Sequence, residues 1–168
     1  MQALFSGESN RTIAEHKLNQ NSSRSHTIFT IHLEIRSKVE STEKVIMSKI
    51  NLVDLAGSER TKKTGSEGKT LIEAQFINKS LSFLEQLVIA LSEKKREHIP
   101  YRQNKLTYLL KDSIGGNSKT YMIANIWPEL THLEETISTL KFASRMMKVS
   151  NDVSVEMNLD PSLLIKKY

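Results

Sequence analysis

The chain has 168 residues, of which 38% are hydrophobic and 26% charged, a composition typical of one globular domain. It contains no cysteine, which excludes a disulfide framework and thiolate metal sites. No stretch reaches the roughly 18 apolar residues of a membrane span. The net charge of +5 suits an acidic partner, and charge alone does not choose among a filament, a nucleic acid and a membrane surface.

The first half of the chain predicts two strands and a long helix. Apolar and polar residues alternate over residues 29–36, which predicts a half-buried strand. A second strand is predicted over residues 45–55, with Asp54 at its carboxyl end. After a basic loop, leucines recurring at three- and four-residue steps predict a helix over residues 70–94.

The second half continues the alternation. A short helix is predicted over residues 104–114 and a buried strand over 121–127, with Trp127 in the core. Thr131 and Glu134 form a capping box that predicts the start of a last helix. The residues expected on the buried face of that helix are Leu133, Ile137, Leu140, Ala143 and Met147. Strands alternating with helices favour an α/β fold.

Two motifs carry chemistry. Residues 19–26 (NQNSSRSH) cluster hydroxyls beside an arginine, which suits a phosphate, a Mg²⁺ ion or an attacking water; the alternative is a solvated serine-rich loop. Residues 54–59 (DLAGSE) begin with an acid at a strand end, where a carboxylate can hold Mg²⁺ through water. Gly57 lets a backbone N–H approach a γ-phosphate, and the alternative is a plain strand-end turn.

In this order and spacing, the two motifs resemble switch I and switch II of the kinesin motor domain. Residues 77–81, 98–107 and 112–117 also resemble segments of that family, and the resemblance runs from about residue 3 to residue 151. Residues 82–86 (SFLEQ) resemble the kinesin-nine class, which is associated with cilia and flagella. The fold this implies is a partial P-loop NTPase kinesin motor fold of α/β class. It has a central mixed sheet with flanking helices, and its N-terminal P-loop half is absent.

The resemblance implies a role for each motif residue. Ser23 would contact Mg²⁺, Ser22 would place the attacking water, and Asn19 would approach the phosphates of ATP. Asp54 would hold Mg²⁺ through water, and Gly57 would sense the γ-phosphate through its N–H.

Arg24 and Glu59 would form the salt bridge that closes around the phosphate, and the alternative is a pair of independent surface charges. If the pair is partly buried, removal of one partner should leave an uncompensated charge that costs roughly 3–5 kcal/mol. The expected effect is arrested nucleotide chemistry and not loss of folding.

The resemblance also implies a partner, the acidic microtubule. The cations expected to face tubulin are Lys62, Lys63, Lys79, Arg102 and Lys105. Such a surface gives salt-sensitive attraction, although each cation taken singly could be an ordinary solvated side chain. Tyr108 stands where the family often has a basic residue, so one contact is expected to be missing.

Residues 1–150 are expected to form the C-terminal part of the motor domain, and residues 151–168 the neck linker and the start of a neck helix. Val149 and Asn151 mark the beginning of the linker, and Glu156 stands where the family commonly has an asparagine that latches it. Whether the protein forms a dimer through sequence beyond this chain stays open.

A phosphate-binding loop, GxxxxGK[ST], is expected to be missing. Residues 65–70 (GSEGKT) offer a partial match, but Lys63 occupies the position of the first glycine. We therefore expect this chain alone to hydrolyse ATP poorly or not at all. Whether it is a fragment, a partial gene model or a short isoform stays open.

The preferred interpretation is an ATP-dependent, Mg²⁺-requiring microtubule motor, located on the cytoplasmic microtubule cytoskeleton and open to a ciliary or flagellar role. The alternative is a non-catalytic microtubule-binding module derived from a kinesin. A nucleic-acid-binding domain rests on basic charge alone, and 6% aromatic residues give little stacking surface. We expect neither nucleic acid nor membrane as a partner.

Overall fold

A computed structural model describes residues 2–9, 25–36, 44–57, 69–93, 98–155 and 157–159. The helices are α1 (Gln2–Ser9), α2 (Lys69–Ser92), α3 (Lys105–Leu109) and α4 (Leu133–Met146), with single 3₁₀ turns at Tyr101–Gln103 and Leu130–His132. The strands are β1 (Thr27–Arg36), β2 (Lys44–Asp54) and β3 (Met157–Leu159). Of the described helices, none combines the length and the apolar character that crossing a bilayer requires.

The three strands form an antiparallel sheet in the order β1-β2-β3. The two long strands confirm the strands predicted over residues 29–36 and 45–55. The predicted half-burial of the first strand is wrong, because residues 27–30 of β1 are partly buried and residues 31–36 are all exposed. Thr27 lies opposite Asp54 at one end of the β1–β2 ladder, and Arg36 lies opposite Val45 at the other. A mixed sheet was expected, whereas pairing among the described strands is antiparallel throughout.

The hydrophobic core lies where α2 packs against α3 and α4. Its buried members are Leu84, Leu87, Val88, Leu106, Leu110 and Ile114. The periodic leucines of α2 account for this packing, because residues three and four apart share one face of a helix. Ile28 and Leu55 pack on the cluster from the sheet, close to the paired ends of β1 and β2.

Helix α3 is shorter than predicted because a tight turn replaces its second half. The Asn104 side chain caps the helix by accepting a hydrogen bond from the Leu106 N–H at 2.8 Å. The Thr107 hydroxyl is fully buried and lies 2.8 Å from the carbonyl oxygens of both Tyr101 and Asn104. The chain then turns through Gly115, whose φ of 78° explains why glycine occupies that position.

The start and the buried face of α4 differ from the prediction. His132 is the N-cap residue and makes no capping side-chain bond, and Thr131 lies in the preceding 3₁₀ turn, so the predicted capping box is wrong. The side chains of Leu133 and Leu140 are about half exposed, at 49% and 50%. Phe142 and Met146 pack against the core instead, because α4 meets α2 along that side.

The segment at residues 121–127 is not a buried strand. It pairs with no described strand, and a strand needs a neighbour for its backbone hydrogen bonds. Ile123 is 87% exposed and Trp127 is 61% exposed, with the Trp127 ring tilted against His132 at a centroid distance of 5.4 Å. The outer part of β1 is also exposed, including Leu33 and Ile35.

Candidate functional site

The β1–β2 ladder brings the described ends of the two chemical motifs together. Thr27 follows directly on the NQNSSRSH motif, and it is paired with Asp54, the first residue of the DLAGSE motif. The antiparallel register therefore puts the exit of the first motif beside the entrance of the second. Asn19, Ser22, Ser23, Arg24 and Glu59 lie outside the described residues, so the Arg24–Glu59 salt bridge stays a prediction.

His26 joins this strand end to the long helix. Its Nδ1 accepts a hydrogen bond from the Ala56 backbone N–H at 3.1 Å, and its Nε2 lies 2.6 Å from the Ser80 hydroxyl oxygen of α2. Burial lowers the pKa of His26, because a desolvated imidazole disfavours the charged form. The sequence placed His26 in the first motif but gave it no role, since its partners lie 30 and 54 residues away.

The described residues at the end of β2 suit the Mg²⁺ ion and the ATP phosphate that the resemblance implies. Asp54 is exposed at the end of β2, and a carboxylate is the hard oxygen donor that Mg²⁺ prefers. Gly57 follows three residues later and has no Cβ to obstruct a phosphate. Asp54 and Gly57 would therefore face Mg²⁺ and the terminal phosphate, and bound Mg²⁺ would supply neutralisation of phosphate charge. The described residues include no cluster of three or more His, Cys, Asp or Glu suited to a metal.

The candidate filament-facing cations lie on two helical segments that pack together. Lys79 is exposed on α2, directly before the buried Ser80. Arg102 and Lys105 are exposed around the start of α3, which contacts α2. Tyr108 is 59% exposed and adds no charge to the surface of α3. Lys62 and Lys63 lie outside the described residues.

The predicted linker start is held by the side chain of Asn151. Its Oδ1 accepts from the Gly115 N–H at 2.8 Å, and its Nδ2 donates to the carbonyl oxygens of Ser113 at 3.0 Å and Ser118 at 2.7 Å. Val149 packs against the core cluster two residues earlier. The sequence indicated Asn151 by family position alone, whereas the structure shows the contacts that fix it.

A second set of polar contacts joins the sheet to the turn before Gly115, which Asn151 also contacts. The Thr30 hydroxyl donates to Asn51 Oδ1 at 2.9 Å, and Asn51 Nδ2 donates to the Ser113 hydroxyl at 3.2 Å. Lys49 also forms an ion pair with Asp112 at 2.5 Å. Both partners of that ion pair are substantially exposed, so we expect it to contribute only about 0–1 kcal/mol.

Comparison with known proteins places this geometry in a family. The family model described as the kinesin motor domain matches residues 1–149. The chain belongs to the kinesin motor domain family. A solved structure of KIF14, described as a dimer in its two-heads-bound state with AMP-PNP in complex with a microtubule, superposes with a TM-score of 0.84 at 42% identity. That match covers 99% of this chain and 48% of the KIF14 chain, and it confirms the kinesin fold.

Two relatives agree with the more specific resemblance. The kinesin-like protein KLP1 of Chlamydomonas reinhardtii is 58% identical over 98% of this chain. The human kinesin-like protein KIF9 is 58% identical over 97% of it. Both belong to the kinesin-nine class that residues 82–86 indicated. The chain spans 21% of the length of each of these relatives.

Proposed function

We propose that this chain is the part of an ATP-dependent microtubule motor that couples the terminal phosphate of ATP to a tubulin-facing surface. The observation that carries the proposal is the pairing of Thr27 with Asp54, together with the His26–Ala56 hydrogen bond. These contacts bring the described ends of both nucleotide motifs together beside α2. A γ-phosphate at Gly57 would then lie next to Ala56, whose contact with His26 leads to Ser80 on the helix that carries Lys79.

The nucleotide would be ATP with Mg²⁺. Asp54 and Ser23 would hold the metal, Gly57 and Asn19 would approach the phosphates, and Ser22 would place the attacking water. Arg24 and Glu59 would close the site. A GxxxxGK[ST] loop does not occur within the 168 residues, so the remainder of the whole protein would supply the phosphate cradle. The chain alone should therefore show little ATPase activity, with or without microtubules.

The partner would be the microtubule. Support comes from the exposure of Lys79, Arg102 and Lys105 on packed helical segments, and from a similar structure described in complex with a microtubule. The beginning of the linker at Val149 and Asn151 would report the state of the motor to sequence that follows. A location on cytoplasmic microtubules, and in cilia or flagella, is part of the proposal; dimer formation would depend on sequence beyond the chain.

Microtubule co-sedimentation tests the partner. The test variant reverses three charges (Lys79→Glu, Arg102→Glu and Lys105→Glu). The matched control reverses three exposed cations elsewhere (Lys119→Glu, Lys141→Glu and Lys148→Glu), with the same change in net charge. We expect microtubule affinity to fall at least about ten-fold in the test variant and much less in the control. Added salt should also weaken microtubule binding by the wild-type protein. Equal losses of microtubule affinity in both variants would mean that binding is nonspecific charge attraction and would contradict the proposed surface.

The ATPase assay separates the motor from the alternative, a non-catalytic microtubule-binding module. The whole protein that contains this segment should show ATPase activity that microtubules stimulate, and Glu59→Ala should abolish the stimulation. Filament binding without turnover in the whole protein would favour the binding module. Preference for DNA over microtubules would favour a nucleic-acid-binding domain.

A further inference from the structure

The His26 ring holds together three segments that are far apart in sequence. Nδ1 accepts from the Ala56 N–H, Nε2 contacts the Ser80 hydroxyl, and the Ser80 hydroxyl lies 2.6 Å from the Ile77 carbonyl oxygen. His26 directly precedes β1, Ala56 belongs to the strand-end motif and Ser80 belongs to α2. Ala56 and Ser80 are both at least 92% buried, which protects these contacts from water.

These contacts define one protonation state of the ring. A backbone N–H can only donate, so Nδ1 carries no hydrogen. The Ile77 carbonyl can only accept, so it takes the hydroxyl hydrogen of Ser80, and the Ser80 oxygen must accept from Nε2–H. Only the neutral Nε2–H tautomer satisfies all three bonds, because every other form of the ring places a hydrogen against the Ala56 N–H or leaves Nε2 without one.

We propose that His26 is a positioning residue that couples the Ala56–Gly57 backbone to helix α2 through Ser80. The inference rests on the proposed function, in which Gly57 faces the terminal phosphate and α2 carries Lys79 toward tubulin. A shift of the strand-end backbone would pull on the ring, and the ring would transmit the shift to the buried side of α2. Lys79 directly precedes Ser80 on that helix, so it would move with Ser80.

Helix α2 provides an internal control for this role. Ser92 donates its hydroxyl hydrogen to the Ile89 carbonyl oxygen at 2.8 Å, the same local bond that Ser80 makes to Ile77. Of these two serines, only Ser80 is described with a contact to the His26 ring. The change Ser92→Ala therefore removes the same helical bond without touching the ring.

The test reads the Ala56 amide while changing α2. Amide hydrogen exchange is measured by NMR on the 168-residue chain and on the variants Ser80→Ala, Ser92→Ala, His26→Phe and the Ser80–His26 double variant. We expect Ala56 exchange to rise about ten-fold in Ser80→Ala and in His26→Phe, to rise no further in the double variant, and to be unchanged in Ser92→Ala. Unchanged exchange in Ser80→Ala, an equal rise in Ser92→Ala, or additive effects in the double variant would overturn the coupling.

The ring nitrogens of the unaltered chain give a second measurement that needs no variant to fold. Long-range ¹⁵N–¹H spectra at neutral pH should show the Nε2–H tautomer for His26, and a hydrogen on Nδ1 would overturn the proposal. Neither measurement uses ATP or microtubules. Failure of the motor proposal would appear in the ATPase and co-sedimentation assays instead, so the two failures are distinguishable.

Discussion

Asn151 offers a sharp test of how the predicted linker start is attached to the motor fold. The change Asn151→Ala removes the acceptor of the Gly115 N–H and the donor to the carbonyls of Ser113 and Ser118. The Ser113 carbonyl keeps the Thr120 hydroxyl as a donor, so the loss falls mainly on Gly115 and Ser118. At about 1 kcal/mol for each hydrogen bond, and with a partly buried side chain, we expect a loss of about 1–2 kcal/mol.

The change Asn151→Asp separates the two halves of this contact. A carboxylate of nearly the same shape keeps the acceptor for Gly115, but it turns an oxygen toward two carbonyl oxygens. We expect a larger loss than for Asn151→Ala at neutral pH, because the second carboxylate oxygen would face the carbonyl oxygens of Ser113 and Ser118 where the amide had donated. Its carboxyl pKa should be raised in the folded state, since the protonated form can donate. Stability should therefore be recovered below about pH 3.9 and lost as the pH rises through the raised pKa.

Urea unfolding and exchange of the Gly115 amide measure both effects. The neighbouring change Ser150→Ala is the control, because Ser150 is exposed. Faster Gly115 exchange with unchanged global stability would mean that the linker start opens locally. If Asn151→Ala changed neither the Gly115 exchange rate nor the free energy of unfolding, the attachment described for Asn151 would be wrong.

Three further changes test the core, the turn and the ring. Leu87→Ala removes a side chain with 0% exposure and should lower the free energy of unfolding by about 2–5 kcal/mol, whereas Leu109→Ala, at a 61% exposed position, should cost far less; equal losses in urea would contradict the core. Gly115→Ala should destabilise the chain by about 1–3 kcal/mol in thermal unfolding, because φ is 78° and the new Cβ would lie 2.8 Å from the Tyr101 hydroxyl; an unchanged melting temperature would refute this. Burial lowers the folded pKa of His26 below its usual 6.5, so the unfolded chain binds more protons and stability should fall as the pH drops from about 6.5 toward the folded pKa. If the pH dependence of the free energy of unfolding is unchanged in His26→Phe, other titratable groups cause it and the prediction for His26 is wrong.

Local patterns in the sequence predicted β1, β2 and α2, whereas α1 and β3 were not predicted. Alternation predicted β1 because side chains point to opposite faces of a strand in turn, and leucine spacing predicted α2 because one face of a helix is buried. The order and spacing of the two motifs also indicated the kinesin family, because they resemble switch I and switch II of that family. The resemblance also indicated Asp54 as a metal-binding residue and Asn151 as the linker start, and both roles stay predictions.

Long-range contacts were decided only by the tertiary structure. The sequence could not pair Thr27 with Asp54 or place Ser80 against His26, because both relations depend on how separate segments dock. It also predicted a buried strand at residues 121–127, where apolar residues favour a strand but no described neighbour supplies backbone hydrogen bonds. Side-chain pattern is a local property of the chain, whereas burial and hydrogen-bond partners depend on what lies across from each residue.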